Sequence, residues 1–166
     1  MERKIKAVLT DIDGVWTDGR IYLNEEGKSF KAFSTHDSVG VSLLRLVEIP
    51  VIIITGEDSE IIRHRAEKLN ISHIYTGVRN KLFIAEKAVK DHGIELAACA
   101  YIGYDLSDLP LLKTVGLSAV PANAAEFLKN EVSCVLTRNG GDGAFKVFCE
   151  LILYGKGIFY KSLEVY

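Results

Sequence analysis

The chain has 166 residues, with 20 Lys and Arg against 22 Asp and Glu and a net charge of −2. That length fits one domain, 1–166, with a sizeable core, and the near-neutral balance leaves no electrostatic footprint for nucleic acid or an anionic membrane. No apolar run reaches the length of a membrane span, and the charged start Met1-Glu2-Arg3-Lys4-Ile5-Lys6 lacks the apolar stretch of an export signal, so a cytoplasmic protein is expected.

Ile5 to Thr10 reads as a buried parallel strand. It runs into Asp11-Ile12-Asp13-Gly14-Val15-Trp16-Thr17-Asp18-Gly19, where two carboxylates one residue apart leave the strand tip on the same side. Two β-prone runs then flank Glu25-Glu26-Gly27, predicting a hairpin over about 20–33 inserted before the first helix. Its Ile21, Tyr22, Leu23, Phe30 and Phe33 are more apolar bulk than a lone hairpin keeps dry. It either folds over its own domain or pairs with the same hairpin in other subunits, and the second is expected.

Capping residues precede a helix over Val39 to Val47, and Val51 to Ile54 is a second buried strand ending at Thr55-Gly56. A helix over Glu60 to Leu69, a short strand over His73 to Tyr75 and an amphipathic helix over Lys81 to His92 follow. Strands over Ala98 to Ile102, Leu117 to Val120 and Cys134 to Leu136 alternate with helices over Leu109 to Val115 and Ala124 to Lys129. Gly140-Gly141-Asp142-Gly143 is a flexible loop, Ala144 to Leu153 a closing helix, and 154–160 an apolar tail broken by glycine. Alternating strand and helix predicts an α/β fold, a doubly wound parallel sheet covered on both faces. Cys99, Cys134 and Cys149 are scattered among apolar neighbours and read as buried free thiols, with no zinc-binding spacing.

The chemistry gathers at strand ends, which converge on one crevice in an open α/β sheet. Asp11 and Asp13 follow the first strand, Thr55 the second, Lys81 opens a helix, and Asp105 and Asp108 follow the fourth strand. Two close carboxylates repel unless a cation or proton lies between them, and Mg²⁺ favours carboxylate and phosphate oxygen. Thr55 and the amides after it suit a phosphate oxygen. Singly each feature has an ordinary meaning: a bare DxD is also a turn, Thr55 a helix cap and Lys81 a solvated helix residue. In this order and together they point to Mg²⁺ and a phosphate.

The order DxDGxxTDG, TG, Lys and GxDxxD resembles the haloacid dehalogenase (HAD) superfamily of phosphotransferases. Asp37-Ser38-Val39-Gly40, Asn80-Lys81-Leu82 and Gly140 to Ala144 extend the likeness over almost the whole chain. They resemble the small capless phosphatases of 3-deoxy-2-ulosonic acid phosphates, such as KDO 8-phosphate and KDN 9-phosphate phosphatases. The resemblance implies a Rossmann-like fold without a cap domain, and a homotetramer whose hairpins associate so that a neighbour helps close each site. It implies that Asp11 is the nucleophile, that Asp13 is general acid and then base, and that Thr55 and Lys81 hold the phosphoryl group. Mg²⁺ would be bound by Asp11 and the Asp13 carbonyl.

Two departures follow from the same likeness. The family reads Gly-Asp-Asp after the fourth strand, and here Tyr104 stands where the first acid binds Mg²⁺. Asp105 or Asp108 then replaces it, or binding is weak, or the chain is an inactive tetramerisation domain like that fused to sialic-acid cytidylyltransferases. A single Lys146 stands where relatives carry an Arg-Glu pair. For substrate binding, Gly56, Glu57 and Lys68 resemble the nine-carbon KDN branch, where the KDO branch has Arg after TG; Glu57 and Lys68 also read as plain surface charges. Thr35, Asp37 and Arg65 are further candidate contacts to a sugar acid, Arg suiting its carboxylate. A response-regulator-like domain also pairs acids with Thr and Lys, but its phospho-acceptor lies on a later strand.

Overall fold

A computed structural model describes residues 5–165, with side chains as far as Leu163; Met1 to Lys4 lie outside the described residues. The strands are β1 (Ala7–Thr10), β2 (Tyr22–Leu23), β3 (Ser29–Phe30), β4 (Val51–Ile54), β5 (His73–Tyr75), β6 (Cys99–Ile102), β7 (Leu117–Val120) and β8 (Cys134–Val135). The helices are α1 (Thr35–Leu46), α2 (Glu60–Lys68), α3 (Lys81–Lys90), α4 (Leu109–Leu112), α5 (Glu126–Lys129), α6 (Ala144–Gly155) and α7 (Phe159–Val165).

Six strands form one parallel sheet in the order β5-β4-β1-β6-β7-β8, and β2 and β3 form a separate antiparallel hairpin. After β1 the chain first builds outward through β4 and β5, then returns to place β6 on the other side of β1. That reversal puts the ligand crevice at the carboxyl end of β1.

The pleat of β1 sorts the core. Val8 faces a cluster with Leu43 and Leu44 of α1, Ile62 of α2, and Phe145 and Phe148 of α6. Ala7 and Leu9 face the opposite cluster, with Ala85, Ala88 and Val89 of α3, Leu111 and Leu112 of α4, and Leu128 of α5. Both faces are thus covered, which is why β1, β4 and β6 are buried along their whole length and apolar save for Thr10 at the tip of β1.

Several boundaries differ from expectation. β1 begins at Ala7 and not Ile5, and α1 begins at Thr35, four residues early, because the Ser34 side chain accepts from the His36 N–H and caps it. The expected helix over Leu109 to Val115 is a single turn, Leu109–Leu112, entered through a 3₁₀ turn at Leu106–Asp108. Part of the apolar tail is helical: α7 packs Phe159 into the core beside α1 and α6, a tertiary contact invisible to local periodicity. Among the described residues no helix is long and apolar enough to cross a membrane.

Candidate active site

The acid loop after β1 is stitched from within. Thr10 donates to the Asp11 carbonyl (2.6 Å) and accepts from the Trp16 indole (2.9 Å), whose ring rests 4.6 Å from that of Phe145. The Thr17 hydroxyl accepts from the N–H groups of Gly14 (3.2 Å) and Gly19 (3.3 Å). Gly140 presses on this loop from outside: a Cβ there would lie 1.8 Å from the Gly14 carbonyl oxygen, so only glycine fits. The glycine-rich loop expected to be flexible is therefore a clamp on the acid loop, and the Gly141 N–H donates to the Val15 carbonyl (3.0 Å).

Leu9 and Asp11 are two residues apart and share the pleat face covered by α3, whose first residue is Lys81. Lys81 Nζ lies 2.9 Å from Asp11 Oδ2 and 2.5 Å from Asp108 Oδ1, with all three side chains nearly dry. Burial, with the Asp108 charge beside it, pushes the Asp11 carboxyl up to about 7 against the pull of Lys81. For Lys81, burial works against the ammonium, but Asp11 and Asp108 outweigh it and hold its pKa above the ordinary lysine range. Tyr101 on β6 completes the floor, its hydroxyl donating to Asp108 Oδ1 at 2.5 Å.

A cavity of about 240 Å³ opens above this floor. Asp11, Asp13, Gly19, Thr55, Gly56, Glu57, Lys81, Tyr104 and Asp105 line it. Thr55 is buried at the tip of β4, and its hydroxyl has no hydrogen-bond partner. A buried hydroxyl left without a partner beside a cavity marks the place of a ligand oxygen. The Tyr104 ring lies across Gly14, where an added Cβ would fall 2.0 Å from it, and reaches toward Gly19.

Of the expected site residues, the structure brings Asp11, Asp13, Thr55, Gly56, Glu57, Lys81 and Asp105 to one cavity. Asp108 is different. It is fully buried, and its two oxygens are taken by Lys81, Tyr101 and the N–H groups of Tyr104 (2.7 Å) and Asp105 (2.9 Å). With four donors on it, Asp108 orders the floor and the turn after β6 and has no oxygen left over as a metal ligand. Asp105 caps that turn by accepting from the Leu106 N–H (2.6 Å), yet it remains exposed at the cavity edge.

Asp37, Thr35, Arg65 and Lys68 do not line the cavity of their own chain. Asp37 is buried between α1 and α6 and accepts from the Lys146 N–H (3.1 Å), with burial pushing its carboxyl up to about 6. It sits at the amino end of α6, where a carboxylate meets unpaired N–H groups. Arg65 donates to the Ser38 hydroxyl (3.0 Å) and lies over the Phe33 ring. Glu57 precedes α2, so helical spacing does not align it with the exposed Lys68 at the far end of that helix.

Three residues escaped the sequence. Tyr101 reads as core, and its hydroxyl meets Asp108, seven residues on, because the 3₁₀ turn after β6 brings that carboxylate back under the strand. Lys31 Nζ bridges Asp13 Oδ1 (2.6 Å) and Glu57 Oε2 (2.5 Å) from the end of the hairpin, 18 and 26 residues away. Asp18 accepts from the Tyr22 hydroxyl (2.6 Å) and ties the same hairpin to the acid loop. The β-prone run Lys28-Ser29-Phe30-Lys31-Ala32-Phe33 places Lys31 on the hairpin but carries no signal for its partners.

No family model matches the chain. It is 37% identical over 153 residues to the 3-deoxy-D-manno-octulosonate 8-phosphate phosphatase of Haemophilus influenzae, covering 92% of this chain and 85% of that one. It is 35% identical to the enzyme of the same name from Escherichia coli K12, covering 92% and 81%. Among solved structures, it superposes with a TM-score of 0.94 and 38% identity on the Moraxella catarrhalis phosphatase in complex with magnesium, phosphate and KDO, covering 99% of this chain and 95% of that one. The cobalt-bound Haemophilus influenzae phosphatase gives a TM-score of 0.92 at 34% identity, covering 98% of both chains. A putative HAD-superfamily hydrolase from Legionella pneumophila gives 0.94 at 34% identity, covering 98% and 90%. With this likeness spanning nearly the full length of both partners, the chain belongs to the 3-deoxy-D-manno-octulosonate 8-phosphate phosphatase family within the HAD superfamily.

Proposed function

We propose that this chain, as a single catalytic domain, hydrolyses the phosphomonoester of a 3-deoxy-2-ulosonic acid through an aspartyl-phosphate on Asp11. The observation that carries the reading is the unpartnered Thr55 hydroxyl facing a cavity floored by Asp11 and Lys81. Asp11 is the buried acid with an oxygen toward the cavity, and it attacks phosphorus as the leaving oxygen departs. Thr55 donates to a phosphoryl oxygen, and Lys81 spreads positive charge between that group and Asp11. Asp13, half-exposed at the mouth, gives a proton to the leaving oxygen and then takes one from the water that cleaves the aspartyl-phosphate.

The donor set fits Mg²⁺. Asp11, Asp13 and Asp105 bring hard oxygens to one cavity, and burial, with the Asp108 charge beside it, raises the Asp11 carboxyl. Among the described residues no three His, Cys, Asp or Glu side chains converge as a metal group, and the Asp13 carbonyl would complete the set. When bound, the ion neutralises phosphate charge and orients the ester.

Glu57 at the mouth offers acceptor oxygens to the hydroxyl-rich tail of the sugar acid and favours the longer KDN 9-phosphate type over KDO 8-phosphate. Ile21, Leu23 and Phe30 stand exposed on the hairpin, which supports assembly as a homotetramer through that element. Thr35, Arg65 and Lys68 then contact substrate only from a neighbouring subunit. The test is phosphate release, with and without Mg²⁺, from both sugar-acid phosphates and from simple esters, beside light scattering. Mg²⁺-dependent release with the nine-carbon ester preferred supports the whole reading. Release of neither ester from an intact oligomer favours a scaffold, and a monomer removes the tetramer.

A further inference from the structure

Lys31 belongs to none of the motifs that locate the site, yet it is one of the most constrained lysines in the molecule. Only 5% of its side chain is exposed, and its ammonium lies within 2.6 Å of both Asp13 and Glu57. Holding a long lysine still costs rotamer entropy, which two short charged contacts offset. The hairpin that carries it is fixed at its other end as well. Tyr22 donates to Asp18 (2.6 Å), and its ring stacks on Phe30 at 5.6 Å, one residue before Lys31.

Asp13 has little else to hold it. Its other side-chain contact is the Thr17 hydroxyl at 3.5 Å, and 35% of the side chain is open. A proton donor works only when held within reach of the oxygen it serves.

We propose that Lys31 is a positioning residue: it fixes the Asp13 carboxyl at the cavity mouth, within reach of the oxygen that leaves as the ester breaks. In that step the Asp11–phosphorus bond forms, the bond from phosphorus to the alcohol oxygen breaks, and the Asp13 proton goes to that oxygen. Lys31 keeps its protons throughout. The proposal rests on the assignment of Asp13 as proton donor.

The test compares kcat/KM on two esters of similar shape, phenyl phosphate and p-nitrophenyl phosphate. The nitro group lets the phenolate leave without a proton, and kcat/KM covers no step after departure. Lys31→Met should lose about tenfold or more on phenyl phosphate and far less on the nitro ester, and Lys31→Arg should recover most of the difference. Asp13→Asn serves as the standard and should show the same bias more strongly. If Asp13→Asn shows none, the assignment of Asp13 fails and this proposal with it. If Asp13→Asn shows the bias but Lys31→Met lowers both esters equally, Lys31 is not a positioning residue. Inhibition by inorganic phosphate should be unchanged in Lys31→Met; weakening there would mean that Lys31 binds phosphate directly. Lys31→Gln repeats the measurement should the Met variant not fold.

Discussion

Two lysines in this molecule are each clamped between two carboxylates, at opposite ends of one cavity. At the floor, Lys81 joins Asp11 and Asp108; at the mouth, Lys31 joins Asp13 and Glu57. The contact distances are alike, and the surroundings are not. Asp11 and Asp108 are 7% and 0% exposed, while Asp13 and Glu57 are 35% and 41% exposed. Removing one member of a buried pair strands a charge in a dry place and costs about 3–5 kcal/mol. A pair whose carboxylates keep their water is worth about 0–1 kcal/mol, even where, as with Lys31, the lysine stem is covered. The floor is therefore built into the fold, and the mouth is carried by an insertion that the sheet does not need.

The largest expected effect is at the floor. Asp11→Asn should lower phosphate release by on the order of 10⁴ to 10⁶, as removal of a nucleophile does. Asp108 still pairs with Lys81, so the circular dichroism spectrum and assembly should be unchanged. Turnover within tenfold of wild type would contradict the role given to Asp11.

Stability sharpens the contrast. Lys81→Met leaves Asp11 and Asp108 facing each other without a cation and should cost about 3–5 kcal/mol in urea unfolding. Lys31→Met should cost no more than about 1 kcal/mol. Equal losses would erase the distinction between floor and mouth.

Proton competition gives the next effect. The Asp11 carboxyl is raised to about 7 in the protein, so it carries a proton increasingly below that pH and is ionised above it. A cation binds the ionised form. Mg²⁺ affinity should thus be level above about pH 7 and fall by up to about tenfold per pH unit below it. Calorimetric titration at pH 6 and pH 8 reads this directly, and equal affinity at both would mean that Asp11 is not a ligand.

The smallest effect concerns the turn after β6. Tyr104→Asp adds an anionic oxygen at the cavity and should lower the Mg²⁺ concentration for half-maximal activity several-fold, because ligand charge tunes affinity for hard cations. Asp105→Ala should raise it. A harmless Asp105→Ala would leave that turn without a metal ligand, since Asp108 is already fully engaged.

Much of this was legible in the chain itself. The runs 5–10, 51–54, 98–102 and 117–120 read as buried parallel strands, and a parallel sheet brings their carboxyl ends to one crevice. Asp11, Asp13, Thr55 and Lys81 each follow or precede such an element directly, so order along the chain was enough to gather them. Local pattern could not tell which acid of the turn after β6 faces inward. Asp105 and Asp108 look alike in sequence, and the capping turn points one to solvent and the other under the sheet. Nor could it find Lys31 or the burial of Asp37 against α6, because each is decided by a partner far away in the chain. The succession of strands and helices along the chain and the acid spacing follow from short-range rules of periodicity and turn chemistry. Which charge is dry, which is paired and which stays open to a substrate depends on how elements distant in sequence pack, and only the tertiary structure decides that.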